Sequence, residues 1–365
     1  MAERKYNYSI DFIKFIAIFL VVINHCINSM YPIGMGEMGD WGLFSTLFGY
    51  TLATIGRAGV PLFIFCSGYL LLHRDYSTRE LRVRFWKHNL LTIVLCWEIW
   101  IVIYNVFLLF YDPGEVKGLG DVILQMLFLR HVPMSHSWYM PMIIGIYIFL
   151  PFVAMIVQTV SDREMMWIMI FVYAMCCIVP SINQFILAAD PDAEIIWNQL
   201  VMDFSGTYYG LYLILGHYLY KGFRWKVSNS IKIPVFLVLL AFSIYAQLGI
   251  CHDTFYLWCD FFTMPPMCVI FFDLLHQASE GKFNSLVKKT AQYSFGIFLI
   301  HNIFLMLCVK YLDLAAVLKK PLAVLIYFAI VMIASWLSVS LINKIPHAGN
   351  LLFRLPDTRK TKKAV

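Results

Sequence analysis

Apolar runs about twenty residues long recur along almost the whole chain, and this feature restricts the fold more than any other. A bilayer core about 30 Å thick is crossed by about 20 apolar residues in a helix. Residues 120–131 are too short to span and are predicted to form an interfacial or re-entrant segment. The sequence predicts ten transmembrane helices, at 9–30, 48–72, 89–111, 138–157, 166–187, 205–220, 232–250, 254–276, 293–312 and 321–343.

Composition excludes a water-soluble globular protein. Of the 365 residues, 61% are hydrophobic and only 14% are charged, whereas soluble domains average about 45–50% apolar and about 25% charged residues. A soluble chain of 42.4 kDa cannot bury this much apolar surface. The predicted fold class is therefore all-α, a polytopic integral membrane protein with about ten transmembrane helices. One transmembrane domain is expected over 1–345, followed by a basic cytoplasmic tail at 346–365.

Lysine and arginine predict the orientation, because cytoplasmic loops carry an excess of both. With the N-terminus in the cytoplasm, 21 of the 28 basic residues fall in cytoplasmic segments and five in outer segments. Both termini are thus predicted to be cytoplasmic, and the first apolar run, which lacks a cleavage pattern, is expected to be retained. This topology accounts for the net charge of +6, so nucleic acid is not an expected partner. The nine scattered cysteines are expected to form neither disulfides nor a metal site.

Ionisable side chains inside spans are costly and suggest function. The first span contains Asp11, Lys14 and His25. Lys14 and His25 are three helical turns apart, so both lie on one face, separated by about 16 Å. Lys14 is expected near the cytoplasmic end, paired with Asp11, and His25 near the outer third. The alternative is that Lys14 extends to the inner surface and His25 is a hydrogen-bonded core residue.

Arg57 lies too deep in the second span to reach either surface, so it must face a cavity or a partner. Glu98 and Asp260 are acids inside other predicted spans, and either is an alternative partner that would neutralise Arg57. The first cytoplasmic loop is dense in basic residues, among them Arg84 and Lys87. Guanidinium groups suit phosphates, although orientation alone also explains a basic loop.

Five segments follow one another in an order that resembles a known family. The helix IDFIKFIAIFLVVINH is similar to an Arg-x10-His helix, with Lys14 at the arginine position and His25 at the essential histidine. GRAGVPLFIFCSGYLLL resembles a VPLFFFISGYLL segment preceded by an arginine, here Arg57. Arg84-x-x-Lys87 resembles a basic RxxR motif, and HSWYMPMIIGIYIFLP and YSFGIFLIH resemble two later segments. Together they resemble the acyltransferase 3 family of bacterial membrane O-acyltransferases. Lysine at two arginine positions keeps the charge but loses the bidentate fork.

The resemblance implies a cytoplasmic acyl-CoA donor, typically acetyl-CoA, with no permanently bound cofactor. It also implies an acceptor hydroxyl on a cell-envelope or extracellular glycan, and location in the bacterial cytoplasmic (inner) membrane. Lys14, Arg84 and Lys87 are the expected donor-binding residues. His25 is expected to act as general base, a role that suits an imidazole near neutral pH, with an acyl-histidine intermediate as the alternative. Arg57 is expected to stabilise the oxyanion or to hold an acid partner.

Aromatic residues at the outer start of the fourth span are the acceptor-side candidates. His136, Trp138 and Tyr139 are placed to stack on a sugar, or to form an interfacial aromatic belt. Asp11 and His301 are family positions to which the sequence assigns no role in catalysis. Two other functions remain open, an exporter of a polar or lipid-linked envelope precursor and a sensor or assembly partner without chemistry. The sequence also leaves open which acceptor is used, and whether the transferred group is acetyl or another acyl group such as succinyl. It leaves the oligomeric state open as well.

Overall fold

A computed structural model describes residues 7–36, 41–197, 200, 202–203, 206–223 and 225–356. These residues are mostly helical and include no strand. The basic residues Arg4, Lys5 and Arg224 and the end of the predicted tail, 357–365, lie outside the described residues.

The helices are numbered in chain order. The α-helices are α1 (Tyr8–Asn28), α2 (Leu43–Gly56), α3 (Gly59–Leu71), α4 (Arg79–Phe85), α5 (Leu91–Tyr111), α6 (Leu119–Met126), α7 (Tyr139–Thr159), α8 (Asp162–Tyr173), α9 (Val179–Ala189), α10 (Thr207–Tyr220), α11 (Asn229–Tyr245), α12 (Met264–His276), α13 (Asn284–Leu312), α14 (Leu314–Val317), α15 (Lys320–Ile342) and α16 (Ala348–Phe353). A π-helical turn at Trp86–Leu90 joins α4 to α5, and another at Ala174–Ile178 joins α8 to α9. A third, at Ala246–Ile250, extends α11.

Helix length confirms the polytopic membrane fold. Among the described residues, eight helical segments are long and apolar enough to cross a bilayer, and each coincides with one predicted span. They are Tyr8–Asn28, Leu43–Leu71, Arg79–Tyr111, Tyr139–Thr159, Asp162–Ala189, Asn229–Ile250, Asn284–Leu312 and Lys320–Ile342.

The two remaining predicted spans are short helices in the structure. Spans 205–220 and 254–276 correspond to α10 and α12, which have 14 and 13 residues and are therefore only about 20 Å long. The prediction of helix over 254–263 is wrong, because this segment is irregular and α12 begins at Met264. Pro265 and Pro266 explain the start, since proline is favoured in the first turn of a helix. The prediction that 120–131 is too short to span is confirmed by α6, which has eight residues.

Contacts divide the chain into two compact units, each described separately below. Unit 1 comprises Met1–Arg74, Ile156–Ala291 and Asp313–Phe328, and unit 2 comprises Asp75–Met155, Gln292–Leu312 and Ala329–Val365. Both units are assembled from segments that are distant in sequence.

In unit 1, α3 and α10 are in direct backbone contact. A Cβ added to Gly68 would lie 1.9 Å from the carbonyl oxygen of Leu213, and one added to Gly216 would lie 2.3 Å from that of Phe65. Only glycine fits at these two positions. Small residues of this kind allow helices in membranes to approach closely.

The helices α3, α10 and α12 run parallel and end together. Near their C-terminal ends, the Tyr69 ring packs on Tyr220 with centroids 5.3 Å apart, and the Tyr69 hydroxyl is 3.2 Å from Nε2 of His276. Because the three helices have 13, 14 and 13 residues, they also begin at about the same height. Their first residues are Gly59, Thr207 and Met264.

In unit 2, α5 is the central helix. The Trp100 indole N–H donates to the carbonyl of Leu352 at 2.8 Å, which holds α16 against α5. A second polar chain, in which Asn105 donates to Gln125 and Gln125 donates to Asp121, holds α6. The described part of the predicted tail, 346–356, therefore includes a helix that packs within unit 2.

Candidate functional site

The second membrane-crossing segment bends at Arg57. Pro61 has no N–H to donate to the Arg57 carbonyl, so the i to i−4 ladder is interrupted here. Cys259 Sγ lies 3.7 Å from that carbonyl oxygen and takes the place of the missing donor. Since α2 and α3 have 14 and 13 residues, each extends about 20 Å away from the bend. Arg57 is thus near the middle of the crossing, as deep as the sequence predicted.

The Arg57 guanidinium is buried, and no described residue forms an ion pair with it. The side chain is 9% exposed, and its Cζ lies 3.9 Å and 4.2 Å from the ring centroids of Tyr256 and Trp258. Nε and Nη2 have no hydrogen-bond partner among the described residues. Asp260 belongs to the same unit but forms no ion pair with Arg57, so the alternative in which it neutralises this charge is not supported. Glu98 lies in unit 2.

Packing of α1 places His25 at the same height as Arg57. The residue before His25, Asn24, donates to the Ala53 carbonyl at 3.1 Å, and a Cβ on Gly56 would lie 2.9 Å from Asn24 Cβ. From this height α2 continues about 20 Å to its N-terminal end. The half-buried His25 is therefore at the height of Arg57 and in the last turn of α1, the end that the sequence predicted to be the outer one.

One hydrogen bond connects the end of α1 to the rings around Arg57. The Tyr256 hydroxyl donates to Asn28 Oδ1 at 2.7 Å, and Asn28 lies one turn after His25. The same Tyr256 ring faces the Arg57 guanidinium. His25 and Arg57 are thus brought to one neighbourhood by residues of three segments.

The other charged residues of α1 follow the prediction. The helix is continuous from Tyr8 to Asn28, so Lys14 and His25 share one face about 16 Å apart. Lys14 Nζ is 3.9 Å from Asp11 Oδ1, which confirms the predicted pair. Both side chains are about a quarter exposed.

Irregular backbone at 251–263 reaches the depth of Arg57. Asp253 accepts hydrogen bonds from the Tyr50 hydroxyl and from the Gly34 N–H, and Tyr50 is about 10 Å along α2 from Arg57. Non-helical backbone at this depth is tolerated only where protein covers it or where it lines a water-filled cavity.

The outer part of this region carries exposed polar side chains. Asn28, His252 and Thr254 are exposed, while Arg57, Tyr256 and Trp258 lie at the inner end of the region. We name these six residues the vestibule. It opens on the side of the α1–α2 connection, opposite to the α3–α4 connection.

A glycine substitution tests this packing. Gly34 has φ +80°, and a Cβ added there would lie 2.5 Å from Tyr256 Cβ, whereas Gly36, with φ +67°, has nothing nearer than 3.9 Å. Backbone strain is therefore similar for alanine at either position, and only Gly34→Ala displaces Tyr256. We expect Gly34→Ala to lower unfolding stability by about 1–3 kcal/mol more than Gly36→Ala, measured by thermal unfolding in nanodiscs. Equal losses in the two variants would show that the contact has no energetic weight.

Two predicted donor-binding residues lie in unit 2. Arg84 is on α4 and Lys87 in the π-helical turn that follows, and both side chains are exposed. Neither forms an ion pair with any described residue. Hydrogen bonds from Ser77 lower the pKa of Asp75 in the preceding loop, so that carboxylate stays charged at neutral pH. Of the three predicted donor-binding residues, Lys14 therefore lies in unit 1, whereas Arg84 and Lys87 lie in unit 2.

The two predicted histidines of unit 2 meet in its core. His136 and His301 have ring centroids 5.0 Å apart, and both are almost fully buried. Tyr104 donates its hydroxyl proton to the Leu299 carbonyl at 2.6 Å and therefore accepts from His136 Nε2 at 3.0 Å. Asn302 donates to His136 Nδ1 at 3.0 Å. Both His136 nitrogens are engaged in this core, an arrangement that does not favour contact with a sugar.

Trp138 and Tyr139 are half-buried at the start of α7. Trp138 lines a cavity of about 370 Å³ in unit 2, together with Trp97, Arg130 and His131. Tyr139 packs on Phe298 with centroids 4.9 Å apart. Of the three acceptor-side candidates, Trp138 is thus the one that faces a cavity.

Sequence reasoning missed Tyr256 and Trp258, because their apolar surroundings were interpreted as part of a helix. The Pro265–Pro266 pair was the signal that the helix starts later. It also missed Arg354, which was assigned to the basic cytoplasmic tail but is half-buried in unit 2, where burial lowers its pKa.

The comparisons with known proteins agree with this architecture. The sequence profile of the acyltransferase 3 family, described as an acyltransferase domain, matches residues 7–340. No curated protein and no solved structure matches the chain significantly. The family match covers α1 to α14 and nearly all of α15, including His25 and Arg57. This chain therefore belongs to the acyltransferase 3 family and is a membrane acyltransferase.

Proposed function

We propose that this enzyme transfers an acetyl group from cytoplasmic acetyl-CoA to a hydroxyl of a cell-envelope or extracellular glycan, in the bacterial inner membrane. One observation carries the proposal. His25 lies at the height of Arg57, a guanidinium buried near the middle of the crossing with Nε and Nη2 unpartnered among the described residues. An imidazole base and a fixed positive charge that lie at one height, next to the vestibule, suit the attack of a hydroxyl on a carbonyl.

The proposed chemistry has two steps. His25 removes the proton of the acceptor hydroxyl while its oxygen attacks the thioester carbonyl carbon, and the carbonyl oxygen becomes an oxyanion. The oxyanion then re-forms the carbonyl, the C–S bond breaks, and the protonated His25 returns the proton to the departing thiolate. Arg57 stabilises the oxyanion, because a fixed positive charge that needs no reorganisation is effective in a site of low dielectric.

The donor is proposed to enter from the side of the α3–α4 connection. Lys14 lies on the His25 face of α1, about 16 Å towards that side, and the exposed Arg84 and Lys87 provide two more cations. An extended CoA places its phosphates and its thioester at opposite ends, which matches this separation of charge and imidazole. Lysine at positions 14 and 87 contributes point charges without the guanidinium fork.

The acceptor is proposed to enter from the opposite side, through the vestibule. Trp138 and Tyr139 of unit 2 remain predicted acceptor-side residues, and Trp138 lines the cavity described above. His136 and His301 are proposed to act indirectly, by holding the core that carries Trp138.

Charge removal at the donor residues tests the proposal. We expect Arg84→Ala and Lys87→Ala each to raise the KM for acetyl-CoA about tenfold, since a charge-assisted hydrogen bond contributes about 1.5 kcal/mol or more. The measurement is transfer of radiolabelled acetyl from acetyl-CoA to envelope glycan by the purified protein in nanodiscs. Lys282→Ala, which removes another exposed lysine, is the control and should leave the KM unchanged.

Other results contradict the proposal in different ways. Wild-type protein that neither binds acetyl-CoA nor transfers label would favour the exporter over the acetyltransferase. Transfer from succinyl-CoA but not from acetyl-CoA would keep the reaction and change the acyl group. A KM for acetyl-CoA that rises equally in Lys282→Ala would mean that Arg84 and Lys87 act only through the total positive charge of the protein surface.

A further inference from the structure

The aromatic rings of Tyr256 and Trp258 beside Arg57 are only partly buried. Tyr256 and Trp258 are both half-buried, so each covers the guanidinium while part of its ring remains open to the vestibule. A cation that needed only shielding would be enclosed completely. Arg57 is more than nine-tenths buried, and its Nε and Nη2, which have no hydrogen-bond partner among the described residues, lie beside these two rings.

Polar groups hold these rings in fixed positions. The Trp258 indole N–H donates to the Tyr208 hydroxyl at 3.1 Å, and the Tyr256 hydroxyl donates to Asn28. The rings are therefore attached to the start of α10 and to the end of α1. Both rings also lie against the Arg57 guanidinium, at the break between α2 and α3.

We propose that Tyr256 and Trp258 form the subsite for the sugar ring that is acylated. The proposal rests on the acetyl transfer proposed above and specifies where its acceptor binds. The C–H face of a pyranose packs on an aromatic ring, and its hydroxyls bond to a few fixed polar groups such as the Asn28 amide. A sugar held here presents a hydroxyl at the height of His25, and the negative charge that develops faces Arg57.

Kinetic constants distinguish a sugar contact at these two rings from a structural role. A ring that touches the reacting sugar is expected to affect KM for the acceptor and not KM for acetyl-CoA. A ring that only supports Arg57 is expected to affect kcat instead, because the oxyanion exists only in the transition state. The ratio of the two effects therefore separates a sugar contact from a structural role.

The experiment uses the full chain in nanodiscs with labelled acetyl-CoA, offering oligomers of N-acetylglucosamine, glucose and galacturonate as probes and n-butanol as a non-sugar alcohol. We expect Trp258→Ala and Tyr256→Ala to raise KM for the accepted oligosaccharide at least about tenfold, with KM for acetyl-CoA unchanged. Trp258→Phe and Tyr256→Phe keep a ring and should recover most of the affinity. Trp167→Ala removes a tryptophan that is 64% exposed on α8 and should change nothing.

Several outcomes overturn the subsite. Variants that lose kcat at constant acceptor KM would assign both rings to Arg57 support. Wild-type protein that acetylates n-butanol but no oligosaccharide would remove carbohydrate as the ligand class. Both results leave acetyl transfer intact, whereas a wild type that transfers no label to any probe and does not bind acetyl-CoA contradicts the proposed function itself.

Discussion

Replacing His25 with alanine is expected to lower kcat for acetyl transfer by about 10²–10⁴-fold, the range typical of a general acid–base, while the Kd for acetyl-CoA stays unchanged. The physical reason is that the acceptor hydroxyl then has no base at the height of Arg57. The measurements are single-turnover transfer from labelled acetyl-CoA and, separately, equilibrium binding of the donor. A His25→Ala protein with full activity would eliminate the catalytic assignment.

Three further variants make this result specific. His25→Gln keeps polarity and approximate size but cannot take the proton, so it is expected to be as inactive as the alanine variant. His25→Gly with added imidazole is expected to regain part of the activity, because free imidazole can replace the base that the substitution removes. His88→Ala removes an exposed histidine near the α4–α5 joint and should be fully active. Loss of donor binding in His25→Ala would instead place His25 in the CoA site.

Replacing Asp273 with alanine is expected to destabilise unit 1 by about 3–5 kcal/mol, the cost of leaving one partner of a buried ion pair uncompensated. Lys232 on α11 donates to Asp273 on α12, and the two side chains are only 8% and 4% exposed. Without the carboxylate, the ammonium remains in a low-dielectric interior. The measurement is thermal unfolding in nanodiscs, with intrinsic fluorescence as the signal.

A double variant and an exposed pair are the matched controls. Lys232→Met with Asp273→Leu removes both charges, so its stability should return close to that of the wild type. The Lys221–Asp162 pair has the same chemistry but is 39% and 57% exposed, and Asp162→Ala should cost no more than about 1 kcal/mol. A double variant as unstable as Asp273→Ala would mean that packing, and not the uncompensated charge, causes the loss.

The helices that can be predicted from the sequence are those whose signal is local. Each of the eight long segments is an apolar run of sufficient length, and length and hydropathy are properties of the run itself. The pairing of Asp11 with Lys14 is likewise local, since residues three apart on a helix are neighbours. The five motif segments identified the family, and the profile match over residues 7–340 confirms it.

What the sequence misjudged depends on contacts between distant segments. The apolar run at 254–276 has the composition of a span, but its first part is irregular because Asp253 bonds to Tyr50 and Gly34. That His25 lies at the height of Arg57 depends on the packing of Asn24 against Gly56, which counting residues along α1 cannot show. Lys232 looks like a loop lysine in sequence, and only its position opposite Asp273 explains its burial.

The sequence by itself determined that this chain crosses a membrane many times, that Lys14 and His25 share one face of the first helix, and that Arg57 is deep. These follow from helix geometry and from the free energy of transferring each segment into lipid, which depend on residues close together in the chain. The tertiary structure alone decided that Arg57 has no carboxylate partner among the described residues of unit 1, that Tyr256 and Trp258 cover it, and that His25 lies at its height. These depend on which distant segments pack together, because burial, ion pairing and depth are properties of a neighbourhood in space.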